Sequence, residues 1–190
     1  MSGAALLELD QVACRRGGRM LFEDLSLILE PGGAALVTGP NGIGKSSLLR
    51  LAGGLLAPVA GTVRRPVPVA LADDRAALDE RLTLGRALEF WARQDSTDPA
   101  VGMQAMGLAH LDAVPVRILS TGQRKRATLA RVISSGARLW LLDEPANGLD
   151  AEGLERLAAA MARHRKSGGG ILTASHQALG LDDAQPVKLR

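Results

Sequence analysis

The sequence predicts an α/β domain built on a mainly parallel central sheet. Two short runs, Ala34–Thr38 and Arg138–Asp143, are apolar enough to be strands that are buried on both faces. A glycine-rich turn joins the first run to a segment with helical spacing, and strand and helix patterns alternate along much of the chain. Because consecutive parallel strands need a long crossover connection, this alternation favours a parallel sheet with helices packed on its faces.

The N-terminal part of the chain is expected to begin with strands. Leu6–Val12 alternates well enough for one strand, and Leu25–Glu30 resembles a second that ends at a Pro-Gly-Gly turn. We expect these to form an antiparallel edge of the sheet. Apolar residues at helical spacing then predict a helix over Lys45–Leu56, and Val67–Leu71 is a further candidate strand.

The middle of the chain, from about residue 72 to residue 116, lacks strong strand signals and is interpreted as a mainly helical insertion. Its two helices are expected over Thr83–Arg93 and Pro99–Met106, joined by a polar link. A basic amphipathic helix follows over Gln123–Ile133. The remaining elements are a helix over Ala151–His164 and a strand within Gly168–Ser175.

Composition narrows the function classes. The formal net charge of +3 on 190 residues does not require a nucleic-acid partner, and the four dispersed aromatic residues suit core packing better than base stacking. The single cysteine, Cys14, has no partner for an internal disulfide, which fits a reducing compartment. No apolar run approaches the roughly 20 residues that span a bilayer, and the N-terminus lacks signal-peptide features. We therefore expect a cytosolic chain unless a partner ties it to a membrane.

The segment between the first buried strand and its helix matches the pattern G-x-x-x-x-G-K-[ST] in full. Glycines allow the tight turn in which successive amide N–H groups point inward at phosphate oxygens, and the helix dipole favours negative charge at that end. Lys45 is expected to bridge the β- and γ-phosphates, and Ser46 to offer its hydroxyl to Mg²⁺. A glycine-rich turn with a chance lysine is the alternative. The predicted nucleotide-binding residues of this phosphate loop are Gly39, Pro40, Asn41, Gly42, Ile43, Gly44, Lys45, Ser46 and Ser47.

Two carboxylates, Asp143 and Glu144, stand at the carboxyl end of the second buried strand. Ligands of parallel sheets bind at that edge. Asp143 is expected to hold Mg²⁺ together with Ser46, and Glu144 to orient and polarise the attacking water. The alternative is a solvated strand end that carries two charges.

The segment LSTGQRKR (Leu119–Arg126, termed the signature segment below) resembles the LSGGQ signature of ABC-type ATPases, with Thr121 in place of the first glycine. ANGLD (Ala146–Asp150) resembles the D-loop of that family, and TASHQ its switch histidine, His176. The resemblance implies an ABC-type P-loop NTPase that binds ATP and Mg²⁺ and hydrolyses ATP, with His176 acting beside Glu144. It also implies a head-to-tail homodimer in which the signature segment meets ATP held by the other copy. The residues concerned are Ser120, Gly122, Gln123 and Asp150.

The same resemblance implies one nucleotide-binding domain over residues 1–190. Its RecA-like core would comprise about 1–71 and 117–190, with a helical subdomain over about 72–116 plus the signature helix. Two features depart from the family pattern. No glutamine lies between Lys45 and Gln94, and by position Leu71–Asp79 occupies the slot of the Q-loop glutamine. Either Asp73 or Asp74 replaces it as a metal or water contact, or the contact is lost. The chain also has no tyrosine to stack on adenine. Arg16, or its neighbour Arg15, is expected to supply a guanidinium for that stack.

Most of the chain resembles the ATP-binding subunit of the haem exporter of bacterial cytochrome c maturation (system I). The resemblance rests on the Asn-Gly-Ile-Gly-Lys-Ser phosphate loop, on RLWLLDEPANGLD and on ASHQALGL. It implies an ATPase peripheral to the cytoplasmic face of the inner membrane, paired with integral membrane transporter subunits. No direct haem contact and no nucleic acid are expected. The ATPase of another small transporter, or a non-transport ABC ATPase, remains the alternative.

Overall fold

The computed structural model describes residues 4–73 and 77–189, in which eight β-strands and five α-helices are assigned. In chain order they are β1 (Leu7–Arg16), β2 (Arg19–Leu29), β3 (Ala34–Thr38), α1 (Lys45–Ala52), β4 (Ala60–Arg64), β5 (Val69–Ala72), α2 (Leu84–Asp95), α3 (Pro99–Ala105), α4 (Thr121–Ser134), β6 (Leu139–Asp143), α5 (Ala151–Lys166), β7 (Gly170–Ala174) and β8 (Gln185–Lys188). Two short 3₁₀ turns, Ala109–Leu111 and Val116–Ile118, precede α4.

The antiparallel strands form a sheet of their own rather than an edge of the central sheet. β1 and β2 are joined by Gly17 and Gly18, whose φ angles of 54° and 78° suit a two-residue hairpin turn. β4 pairs with the other side of β1, which gives the order β2-β1-β4. The sequence had not predicted β4, because Gly61 in its middle resembles a break.

The central sheet has five strands in the order β5-β6-β7-β3-β8, and every neighbouring pair is parallel. The prediction of a mainly parallel core sheet is therefore confirmed. Because the strands share one direction, their carboxyl ends lie along one edge. β6, β7 and β3 are adjacent, so the segments that follow them are neighbours there.

Both faces of this sheet are covered, which explains why its strands are apolar at successive positions. In β6, Leu139 and Leu141 pack into a core shared with α1 and the antiparallel sheet. Trp140 and Leu142 point to the opposite core, which contains apolar residues of α2, α4 and α5. All five residues of β6 are buried.

The described part of the insertion between β5 and α4 contains the helices α2 and α3, as predicted, and α3 packs tightly against α4. The amide of Gly102 in α3 donates to the Ser134 hydroxyl of α4 at 2.9 Å, and a Cβ at Gly102 would lie only 2.0 Å from the Ala130 carbonyl oxygen. Asp98 caps α3 by accepting from the Ala100 amide at 2.8 Å. These contacts bind the insertion to the signature helix α4.

Two further differences from the sequence prediction have local causes. Helix α1 ends at Ala52 rather than at Leu56, since Gly54 adopts a φ of 78° just beyond it. β8 was not predicted because it is short and contains Pro186, a residue that is tolerated at a sheet edge such as this one. Within the described residues no helix combines the length and the apolar character needed to cross a bilayer.

Candidate functional site

The phosphate loop follows β3 and curls tightly into the start of α1. Its glycines Gly39, Gly42 and Gly44 have φ angles of 149°, 77° and 121°, which side-chain-bearing residues rarely adopt. A Cβ at Gly39 would lie 2.9 Å from the Leu189 carbonyl oxygen, and one at Gly44 would lie 3.1 Å from the Cβ of Leu21. Backbone geometry and close packing therefore both require glycine at the two ends of the loop.

Lys45 is held within the loop and is only 8% exposed. Its Nζ donates to the carbonyl oxygens of Gly39 at 2.8 Å and Pro40 at 3.3 Å, and it lies 3.0 Å from Nε2 of His176. An ammonium group has only donors, so Nε2 accepts when it bonds Lys45; in the other tautomer it donates to the oxygen acceptors beside it, Oδ1 of Asn41 or Oε1 of Glu144. The same Nε2 lies 3.2 Å from Oδ1 of Asn41. The segment after β7 thus meets the phosphate loop side chain to side chain.

Glu144 lies next to this group. Its Oε1 is 3.5 Å from Nε2 of His176, and its Oε2 accepts from the His176 amide at 3.3 Å. The Glu144 backbone adopts a φ of 42°, and its amide donates to the Ala174 carbonyl at 2.8 Å. The preceding Asp143 is 4% exposed. The structure therefore brings together Lys45, Glu144 and His176, three side chains that are far apart in the sequence.

A cleft of about 460 Å³ opens at this edge of the sheet. The hairpin of the antiparallel sheet supplies one wall through Arg16 and Leu21, and the stacking of Arg16 on a base stays a prediction. The remaining lining residues are Asn41, Gly42, Gly44, Lys45, Ser46, Ser47, Asp143 and Glu144. Both predicted metal ligands, Ser46 and Asp143, belong to this set.

The N-terminus of α4, which contains the signature segment, is closed by a capping box of side chains. Ser120 is the N-cap: its hydroxyl accepts from the Gln123 amide at 3.2 Å, and Oε1 of Gln123 accepts from the Ser120 amide at 2.9 Å. This capping box leaves Ser120 exposed at a helix N-terminus, where an anion would be favoured. Among the described residues that line the phosphate-loop cleft, Ser120, Gly122 and Gln123 do not occur.

The segment after Glu144 runs beside the start of α4. A Cβ at Gly122 would lie 2.9 Å from the Gly148 carbonyl oxygen, so the two backbones are close. Asp150 caps α5, with Oδ1 accepting from the Gly153 amide at 2.9 Å. In this chain Asp150 therefore fixes the start of a helix, and its predicted part in nucleotide binding stays a prediction.

Comparisons with known proteins agree with this geometry. The profile of the family described as "ABC transporter" matches residues 22–147, more than half of the chain. The chain belongs to the ABC transporter family. A cytochrome c biogenesis ATP-binding export protein of Sphingopyxis alaskensis is 58% identical over 94% of this chain and 93% of that protein. The protein of the same name from Novosphingobium aromaticivorans is 53% identical, with the same two coverages. Within ABC proteins, the chain thus belongs with the cytochrome c biogenesis ATP-binding export proteins.

Solved ABC structures share the fold. The ATP-binding subunit of an ABC transporter superposes with a TM-score of 0.87 over 97% of this chain and 86% of that chain, at 22% identity. An ABC transporter ATP-binding protein of Pyrococcus furiosus gives 0.83 over 96% of both chains, at 20% identity. The predicted ABC-type fold is confirmed, and as an ABC ATPase domain the chain is a binder of ATP.

The Q-loop slot of this ABC protein is occupied by charged contacts. Oδ2 of Asp73 pairs with Nη2 of Arg50, in the last turn of α1, at 2.9 Å. Asp74, the other candidate for this slot, lies outside the described residues. From the opposite side, a guanidinium nitrogen of Arg131 in α4 donates to the Leu71 carbonyl, two residues before Asp73. Arginines from both α1 and α4 therefore hold residues 71–73, the end of β5 and the residue that follows it.

Three residues at or near the site were missed by sequence reasoning. Leu21 lines the cleft from β2, but nothing distinguishes it from other strand leucines in the sequence. Gln177 donates through Nε2 to Oδ1 of Asn147 at 3.3 Å, which ties the segment after β7 to the D-loop. Lys125 donates to the carbonyl oxygen of Asp143. In the sequence, its place in the signature segment, two residues after Gln123, was the only feature that could have pointed to it. The two other histidines lie outside this cleft: His110 is exposed, and His164 stacks on Trp140 with ring centroids 3.8 Å apart.

Proposed function

We propose that this chain is the ATP-hydrolysing motor subunit of a membrane-bound ABC complex that exports or delivers haem for the maturation of c-type cytochromes. One observation carries the ATPase part: Lys45, Glu144 and His176 meet at one edge of a parallel sheet, beside a glycine-rich phosphate loop. The pathway is supported by the relatives at 58% and 53% identity, whose names place them in cytochrome c biogenesis.

In the proposed reaction, each residue of the cleft has a separate role in phosphoryl transfer. The amides of the phosphate loop would cradle the β- and γ-phosphates, and Lys45 would neutralise their charge. Glu144 would hold the attacking water by hydrogen bonding and take up its proton as it attacks the γ-phosphorus. His176, fixed by Asn41 and Lys45, would contact the γ-phosphate end. The donor set fits Mg²⁺, which Ser46 and Asp143 would hold and which supplies further charge neutralisation when bound.

A second copy of the chain would complete each site. Ser120, Gly122 and Gln123 lie at the N-terminus of a 14-residue helix, outside the cleft of their own chain. In the head-to-tail dimer we propose, this helix end faces the γ-phosphate held by the partner copy, with Asp150 at the same interface. ATP would then join two copies, and hydrolysis would release them.

The membrane subunits would dock on the helical insertion. Phe90 of α2 is 56% exposed, and it lies in a depression of about 450 Å³ with Leu82, Arg86, Glu89 and Arg93. An exposed aromatic side chain with charged neighbours is typical of an interaction site. Through such a contact the chain would be peripheral to the cytoplasmic face of the bacterial inner membrane. We assign it no haem contact and no nucleic-acid partner.

The deciding experiment for the ATPase and dimer is Glu144→Gln. Loss of a general base typically costs about 10²- to 10⁴-fold in rate, so ATP hydrolysis should fall by at least about 100-fold while ATP binding persists. Size-exclusion chromatography with Mg-ATP should then show a stable dimer. Glu155→Gln, at an exposed position on α5, is the matched control and should behave as wild type. Unchanged turnover in Glu144→Gln would exclude Glu144 as the residue that handles the water.

The pathway is tested in cells. Deleting the gene should abolish covalently attached haem in c-type cytochromes, and the wild-type gene should restore it while the Glu144→Gln gene should not. The protein should sediment with membranes when its membrane subunits are present, and Phe90→Asp should reduce that fraction. Normal cytochrome levels in the deletion strain would remove the haem assignment and leave the ATPase. A chain that never sediments with membranes would favour a non-transport ABC ATPase.

A further inference from the structure

Lys125 connects the signature helix to the acidic strand end within one chain. It lies in α4, five residues after the cap Ser120, and is partly buried. Its Nζ donates to the main-chain oxygen of Asp143 at 3.3 Å. The distance is at the long end for a hydrogen bond, yet a full charge next to a carbonyl dipole in a part-buried site remains a directional attraction.

The peptide that Lys125 holds is the one that sets the orientation of Glu144. Its N–H, which belongs to Glu144, donates to the Ala174 carbonyl of β7 at 2.8 Å. Its C=O, which belongs to Asp143, accepts from Lys125. Both polar atoms of this peptide are therefore bound, one by the sheet and the other by α4, and this fixes the plane from which the Glu144 side chain projects.

That restraint matters because Glu144 has a left-handed backbone. A φ of 42° in a residue with a side chain is strained and persists only where the surroundings hold it. The sheet bond holds the N–H side of this peptide, and the ammonium of Lys125 adds a restraint on its C=O side against tilting about the strand axis.

Helix α4, which carries Lys125, begins at its N-cap Ser120, the residue placed against the partner's nucleotide in the proposed dimer. Lys125 lies less than two turns further along, so any shift of the helix tip also moves its Nζ relative to Asp143. We propose that Lys125 is a positioning residue for Glu144, through which the signature end of α4 controls hydrolysis at its own chain's site. The inference rests on the proposed function, because it takes Glu144 as the group that handles the water.

The test compares three lysine variants for steady-state ATP hydrolysis. Lys125→Met keeps roughly the length of the side chain but removes its charge and its hydrogen-bond donors. Lys125→Arg keeps the charge and the donors. Lys166→Met, in the last turn of α5, is the control and should match wild type. Small misplacements of a catalytic group can cost up to about 100-fold, so we expect kcat of Lys125→Met to fall about tenfold with KM for ATP within twofold of wild type. Lys125→Arg should recover at least half of the lost kcat.

A second readout separates positioning from general support of the fold. In the Glu144→Gln background, where hydrolysis is expected to be at least about 100-fold slower, adding Lys125→Met should leave ATP-driven dimerisation unchanged, because Lys125 does not line the cleft among the described residues. A purely structural role would weaken dimerisation, raise KM and lower thermal stability together, without rescue by arginine, and that pattern would overturn the inference. If Lys125→Met aggregates, Lys125→Ala replaces it, since alanine favours the helix most.

The outcomes distinguish this inference from the proposed function. An active wild-type enzyme whose kcat is unaffected by Lys125→Met overturns the role of Lys125 and leaves the ATPase standing. A wild-type protein that does not hydrolyse ATP overturns both. A fall in kcat at constant KM, with rescue by arginine and unchanged dimerisation, supports the positioning role.

Discussion

Arg131 should be a major contributor to the attachment of the helical insertion, and replacing it tests that attachment. Its guanidinium carbon lies 5.0 Å from the centroid of the Trp91 ring in α2, and one of its nitrogens donates to the carbonyl of Leu71, in β5. Trp91 is itself fixed, since its Nε1 donates to the Ala77 carbonyl at 2.6 Å. Burial lowers the pKa of Arg131, while the nearby Asp95 and Asp73 act in the opposite direction. One cation thus links α4, α2 and the end of β5.

The expected loss on Arg131→Met can be estimated from these contacts. A partly desolvated cation–π pair contributes about 1–2 kcal/mol, and a hydrogen bond from a charged donor about 1.5–3 kcal/mol. Against this, methionine is not charged and escapes the desolvation that the buried guanidinium suffers, which offsets part of the loss. Nε of Arg131, buried without a hydrogen-bond partner among the described residues, adds to that offset. We expect a net destabilisation of about 1–3 kcal/mol, which for a chain of this size lowers Tm by about 2–12 °C.

The assay is urea unfolding followed by circular dichroism, arranged as a double-mutant cycle. Arg131→Met, Trp91→Leu and the double variant should give a coupling energy of about 1–2 kcal/mol, because the cation–π contact disappears in either single variant. Arg93→Met, at a position whose side chain is 76% exposed, is the control and should shift stability by less than about 0.5 kcal/mol. A coupling energy near zero would refute the idea that Arg131 acts through Trp91. Wild-type stability in Arg131→Met would refute the whole estimate.

Two further predictions concern packing and pH. Gly102→Ala should destabilise the protein by about 1–3 kcal/mol although alanine favours helices, since its Cβ would meet the Ala130 carbonyl oxygen at 2.0 Å; a raised Tm would contradict this. Burial also lowers the pKa of His164, which stacks on Trp140. Below the ordinary value of 6.5 the unfolded chain binds a proton that the folded chain excludes, so stability should fall with pH from there down to the lowered pKa. His164→Phe should show a smaller loss in urea unfolding between pH 7 and pH 5, and equal losses would contradict the assignment.

Much of the site could be predicted from the sequence because its signals are local. The phosphate loop is one continuous motif whose spacing encodes a strand-turn-helix geometry. Asp143 and His176 each follow a buried strand, and a parallel sheet brings such strand ends to one edge whatever the exact strand order. The meeting of Lys45 with His176 at 3.0 Å therefore followed from two short patterns and one rule of topology.

The missed features depend on contacts that no local pattern encodes. β8 pairs with β3 across about 150 residues of chain and contains Pro186, so neither alternation nor propensity marks it. β4 is an outer strand whose residues are largely exposed, which removes the apolar signal of a buried strand. The contact of Lys125 with Asp143 depends on how α4 lies against β6, and the helix pattern alone does not specify that.

The missing Q-loop glutamine has a physical consequence. A neutral amide would bind the region after β5 to the nucleotide site through weak, exchangeable hydrogen bonds. In this chain Asp73 is instead paired at 2.9 Å with Arg50, which belongs to the helix that begins at Lys45. The side chains of that pair are only 26% and 17% exposed, so salt screens it less than a surface ion pair. Arg131 binds the same segment from α4. Movement of the phosphate-loop helix would therefore reach the signature helix through two arginines, Arg50 and Arg131, and the three backbone residues 71–73 between their contacts.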